Sequence, residues 1–143
     1  MSRLDILQPA SLFFLRGVLA LIFFTHGYPK LTGSGPAMQA FFVQHGLPGS
    51  FVYLAGILEV CGGIALAVGV FTRPIALLFS VEMAVAIWKV HSAKGYFAVH
   101  EYEFPLALGV VCLVLTSTGA GAFSLDRILF ERRSRASRPA KNE

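Results

Sequence analysis

Four long apolar stretches, separated by short connections rich in glycine, proline or charge, dominate the chain. They run from about Ala10 to Leu31, Phe51 to Phe71, Pro74 to Val90 and Phe104 to Thr118. None alternates apolar with polar residues, which argues against strands. A helix of about twenty residues rises roughly 30 Å, the thickness of a hydrocarbon core. Lipid offers a backbone no hydrogen bonds, so segments of this kind must satisfy their own as helices. The pattern predicts an all-α membrane protein, a bundle of four transmembrane helices.

The connections refine the picture. Pro36 to His45 predicts a short helix with Met38, Phe41 and Phe42 on one face, ended by Gly46 and Pro48 and lying in the membrane interface. Between the second and third spans only Thr72 and Arg73 are clearly polar, which predicts a tight helical hairpin. After the fourth span Ser124 is a candidate N-cap with Asp126 in the first turn, so a second interfacial helix should follow, presenting Leu125, Ile128 and Leu129 to lipid. A transmembrane domain over residues 1–126 and a basic tail over residues 127–143, partly amphipathic and then disordered, complete the expected organisation.

Composition agrees with the patterning. Hydrophobic residues are 55% of the chain and charged residues 14%, too little charge to cover a water-facing surface of this size. The net charge of +4 is concentrated in the tail, at Arg127, Arg132, Arg133, Arg135, Arg138 and Lys141. With no aromatic-interleaved basic surface beside it, that tail reads as a topology signal and a contact for anionic lipid, and no nucleic acid is expected as a partner. Outside the spans, one side holds Arg3, Arg73 and the six tail residues, and the other Lys30, Lys89 and Lys94. The bias predicts both termini in the cytoplasm of a bacterial-type plasma membrane. No small-residue cleavage site follows the first apolar stretch, so it is expected to be retained.

Candidate chemistry lies in the polar residues inside the spans, because each is costly there without a partner or a watery cavity. Depth counted from the predicted span ends separates two clusters. Arg16 and Glu82 fall in the inner half, where they are expected to form a structural ion pair. Glu59, His26 and Lys30 fall in the outer half, with His100 and Glu103 at the rim of a cavity. An acid, a base and an imidazole together in a low-dielectric place are suited to proton chemistry, although buried pairs also serve simply to fix helix register. At the cytoplasmic face, Arg73 is expected to pair with Asp126. Gly56, Gly62, Gly63 and Gly69 read as helix-packing positions, with Gly56, Glu59 and Gly63 on one face. Cys61 and Cys112 sit in apolar runs without a CxxC spacing, and His91, His100, Glu101 and Glu103 are too irregularly spaced to predict a metal site.

Several of these residues also carry a resemblance. Arg16-Gly17, Gly27 with Lys30-Leu31, the block from Glu59 to Leu66, Gly69, Thr72-Arg73, Ala76, Met83, Ala86 and Glu103, and a closing Gly119-Ala120-Gly121 with Ser124-Leu125-Asp126 resemble the DoxX family of small membrane proteins over about Arg16 to Asp126. The resemblance implies a four-helix membrane domain. It also implies a setting, since some members are membrane subunits of a thiosulfate:quinone oxidoreductase and others work with soluble sulfur-transfer and superoxide-removing enzymes against oxidative and thiol stress.

The reading that follows is a membrane subunit of a redox or stress-response system with a quinone pocket near Glu59 and His26. Glu59 would relay protons, His26 would hydrogen-bond a carbonyl and Lys30 would stabilise negative charge. No flavin, haem or metal motif is present to support redox catalysis by the chain alone. A non-catalytic scaffold recruiting soluble partners and a small-solute transporter, acting as a homo-oligomer, are the alternatives.

Overall fold

The computed structural model describes residues 3–91, 95 and 98–129, and every element in them is helical. Lys94 and most of the basic tail lie outside the described residues. Five α-helices follow in order: α1 (Arg3–Leu31), α2 (Gly35–Gln44), α3 (Phe51–Val68), α4 (Thr72–Ala86) and α5 (Glu103–Thr118). A π-helical segment, Ile87–His91, continues α4, and a 3₁₀ turn, Val99–Glu101, precedes α5. Residues 125–129 are helical again, and Ser124 Oγ accepts from the Arg127 amide at 3.3 Å, as an N-cap does.

Two stretches, Leu7–Leu31 and Phe51–Val68, are long and apolar enough to cross a membrane. α5 is apolar but shorter. Large apolar side chains such as Phe14, Leu21, Ile57, Leu78, Val110 and Leu113 cover the outside of the molecule. A water-soluble monomer does not present a continuous apolar surface of this kind.

The helices associate as two pairs, α1 with α3 and α4 with α5. Small residues explain the first. A Cβ added to Gly27 would stand 2.6 Å from the Cβ of Glu59, and one on Gly63 would stand 3.0 Å from the Ala20 carbonyl oxygen. Only a missing side chain lets the backbones come so close. In the second pair Ser80 Oγ donates to the Gly109 carbonyl at 3.1 Å. The pairs meet chiefly through Phe23 and Phe79, whose rings stack with centroids 3.7 Å apart, inside a core that includes Leu19, Leu66, Leu108 and Leu115. Gly62, expected to serve α3 generally, belongs to this second contact, since it faces Phe79 and Ile75.

The turn joining α3 to α4 occupies only residues 69–71. α3 ends in a Schellman arrangement: Gly69 is left-handed (φ 75°), the Val70 amide donates to the Ala65 carbonyl and the Gly69 amide to that of Leu66. Phe71 is left-handed too (φ 49°), a cost for a bulky residue. The helical turn that follows α5, over residues 125–129, offsets it. Both carboxylate oxygens of Asp126 accept amides at the start of α4, from Phe71 at 2.8 Å and Thr72 at 2.9 Å. Those donors would otherwise be orphans of the helix start.

Candidate functional site

Lys30 and Glu59 form a salt bridge between α1 and α3, with Nζ donating to Oε2. The pair is well shielded, with side chains 13% and 4% exposed. Gly27 places it, because its bare backbone draws α1 against α3 one turn before Lys30. Gly56 does the same one turn away, where a Cβ would meet Lys30 and Leu31. Gly56, Glu59 and Gly63 thus all face α1.

Glu82 completes the group from α4. It lies within electrostatic reach of both Glu59 and Lys30, and its Oε2 is buried without a hydrogen-bond partner. The expected pair of Arg16 with Glu82 is not formed. Depth counted from predicted span ends misplaced the acid. Counted from the tight turn instead, Glu59 lies ten residues before Gly69 and Glu82 ten residues after Thr72, so antiparallel helices hold them at one level. That symmetric spacing was the signal available in the sequence. Cys112 on α5 is fully buried and also within electrostatic reach of Glu82.

Arg16 lies instead at the other end of the bundle. It is 1% exposed, and its guanidinium donates to the carbonyl of Ala120 and, at 2.6 Å, to that of Phe123. The guanidinium carbon is 5.9 Å from the centroid of the Phe13 ring, within cation–π range. Asp126 lies within electrostatic reach, and Gly69 leaves the room: a Cβ there would stand 2.8 Å from Arg16 Nη1. Most of the hydrogen-bonding capacity at this end is therefore spent on closing the bundle, while Arg16 Nε and Thr72 Oγ1 are buried without a partner among the described residues.

The pairing expected of Arg73 and Asp126 is absent as well. The Asp126 carboxylate is taken by the α4 amides, and Arg73 is exposed with its guanidinium beside Gly119. His26 stands apart from the ion pair. Its Nδ1 is 2.9 Å from the Ile22 carbonyl within its own helix, and its exposed ring looks toward Phe104, centroid to centroid 6.3 Å. Even so, it remains within electrostatic reach of Glu59. His100 lies 3.6 Å from Glu101, and Glu103 is exposed at the start of α5, so neither is drawn into the Lys30–Glu59 group. Cys61 and Cys112 are free thiols, the first exposed and the second buried.

Chemically, the arrangement is one ammonium with two carboxylates, enclosed by apolar helices. Glu59 is held by Lys30, whereas Glu82 keeps an oxygen to offer. Such a group can exchange a proton or hydrogen-bond a neutral polar atom.

The DoxX family model matches residues 11–92, which include Lys30, Glu59 and Glu82. An uncharacterized protein of Haemophilus influenzae is 35% identical over 136 residues, covering 92% of this chain and 100% of that one. A Bacillus subtilis protein named "Putative oxidoreductase CatD" is 32% identical over 82% of this chain and 85% of its own length. The Escherichia coli inner membrane protein YqjF is 32% identical over 86% of this chain and 95% of its own. No solved structure is a significant match. With the family model covering more than half of the chain and relatives aligned over most of their lengths, this protein belongs to the DoxX family of membrane proteins.

Proposed function

We propose that the protein is a membrane subunit of a quinone-linked redox or thiol-stress system, whose working groups are Glu59, Lys30 and Glu82, with His26 at the edge. The observation that carries the reading is the enclosed Lys30–Glu59 pair with a second acid beside it. Intramembrane ionisable groups mark substrate or proton pathways when they are not simply neutralised, and here one carboxylate exceeds the available ammonium. A quinone needs an apolar slot and one or two polar groups for its ring oxygens, and the carboxyls of Glu59 and Glu82 are polar groups of that kind. The relative named as an oxidoreductase points the same way.

In this reading α4 with its π-helical continuation and α5 are the third and fourth spans. At 1.5 Å per residue α5 covers roughly 24 Å, enough to cross with modest local thinning of the bilayer. Both termini are cytoplasmic, which puts Arg16 and Asp126 at the inner end and Lys30 toward the outer face. The basic tail then meets anionic lipid and soluble sulfur-transfer or redox partners.

Two measurements test it. Glu59→Gln keeps size and hydrogen bonding but cannot titrate. It leaves the Lys30 ammonium without its anion, so it should fold with reduced stability and, per assembled molecule, lose quinone-linked turnover; full turnover per assembled molecule would refute a proton role for Glu59. Reporter fusions at Gly46 and Lys141 should report outside and inside respectively, and the reverse would overturn the topology.

A further inference from the structure

The two helix pairs leave an open apolar groove between α3 and α4. It has a volume of about 430 Å³ and is lined by Leu54, Ile57, Leu58, Cys61, Gly62 and Ala65 from α3, with Ile75 from α4. Its size is that of a small-molecule site. The Phe79 ring packs on Gly62 at the back of this lining. One turn outward along α3 from Gly62 is Leu58, and one turn outward along α4 from Phe79 is Glu82. Ile75, Phe79 and Glu82 follow one another at spacings of four and three, so they share the face of α4 that looks at α3. Glu82 does not line the groove; it follows on the same face of α4, level with the half-buried Leu58 of the lining, and its Oε2 has no partner.

What fits there is constrained by charge and depth. The one ammonium is already paired with Glu59 and a second acid stands nearby, so no spare positive charge is left for an anionic phosphate head. Ten residues of helix put Glu82 about 15 Å from the inner turn, out of reach of inner-leaflet headgroups. The fitting occupant has an apolar body and a neutral head with a hydroxyl to donate.

We propose that the α3/α4 groove is the lateral entrance through which a quinol-type amphiphile reaches the site from the bilayer, its ring hydroxyl hydrogen-bonding to Glu82 after Leu58 turns aside. This rests on the quinone reading above and adds the route and the anchoring residue. Glu82 is in this scheme the ligand-facing acid, while Glu59 stays bound to Lys30.

The test uses the full chain in lipid nanodiscs and a photoreactive azidoquinone, reduced before irradiation, with cross-linked peptides located by mass spectrometry. Labelling that excess unlabelled quinol competes away should fall on residues 54–65 and on Ile75. Equilibrium binding should weaken about tenfold or more in Glu82→Leu, and stay within about threefold in Glu82→Gln, which retains an acceptor. Cys61→Trp fills the exposed groove without entering the core and should abolish competed labelling while the protein keeps its melting temperature. Competed labelling around His26 and Phe104 instead, or full affinity in both Glu82→Leu and Cys61→Trp, would overturn the groove and leave the quinone reading standing. Absence of any competed labelling would overturn both.

Discussion

The two ends of this bundle treat buried charge differently. Near Gly69, Arg16 gives its guanidinium hydrogens to carbonyls of the closing loop, and Asp126 of the helical turn after it takes amides from the α3–α4 turn. Each charge there is met by backbone groups, although Arg16 Nε is itself buried without a partner. Around Lys30 the match is side chain to side chain, and one acid, Glu82, is left with an oxygen unspent. The first arrangement joins α1, the α3–α4 turn and the end of α5 into one unit. The second holds α1 to α3 and leaves a polar group available for chemistry. A charge in a membrane bundle is thus no sign of function by itself. What matters is whether it is met by backbone groups that close the fold or left over beside another charge.

Variants can break or sharpen this contrast. The largest effect is expected at the ion pair. Lys30→Met leaves Glu59 buried without its cation and should cost about 3–5 kcal/mol, whereas Lys30→Met/Glu59→Leu together should cost clearly less. Thermal unfolding of the wild type, both single variants and the double variant in detergent measures it, and a double loss equal to the sum of the single losses would mean the two charges do not depend on each other.

Next comes Arg16. Arg16→Leu strands the carbonyls of Ala120 and Phe123 and should cost about 3 kcal/mol, from two bonds to a charged donor. Because Arg16 and Glu82 are not partners, Arg16→Leu/Glu82→Leu should equal the sum of the single effects within about 0.5 kcal/mol. A double variant more stable than that sum by well over 0.5 kcal/mol would restore the ion pair that the geometry denies.

The smallest effects separate Asp126 from Arg73. Asp126→Ala removes an N-terminal cap supplied from a distant segment and should cost about 1–2 kcal/mol. Arg73→Ala should stay within about 0.5 kcal/mol, as for an exposed side chain away from special contacts. Hydrogen exchange at the Phe71 and Thr72 amides should accelerate in the first variant and not in the second. If the two variants behave alike, Asp126 is acting as a general counter-charge and not as a cap.

Much of the fold was legible because hydrophobic patterning is a local property. Unalternating apolar runs predicted the helices, Gly46 and Pro48 marked the end of α2, and Ser124 announced the last helical turn. The close approach of α1 and α3 could be read in part from Gly56 and Gly63, since small residues on the Glu59 face have no other use in lipid. Lys30 with Glu59 was within reach for the same reason.

The rest depended on register between helices, which no single segment encodes. Depth measured from guessed span ends put Glu82 beside Arg16; the tight turn at Gly69–Phe71 sets the true level and puts it beside Glu59. Asp126 and Arg73 are opposite charges near one another in any topology drawing. Yet backbone amides left bare at the start of α4 compete for the carboxylate and hold it. Sequence alone determined which residues must be helical and which polar groups must find partners. Only the packed structure decided which partner each one has, because hydrogen bonds act over a few ångströms and helix register is set by the turns and glycines that let the helices touch.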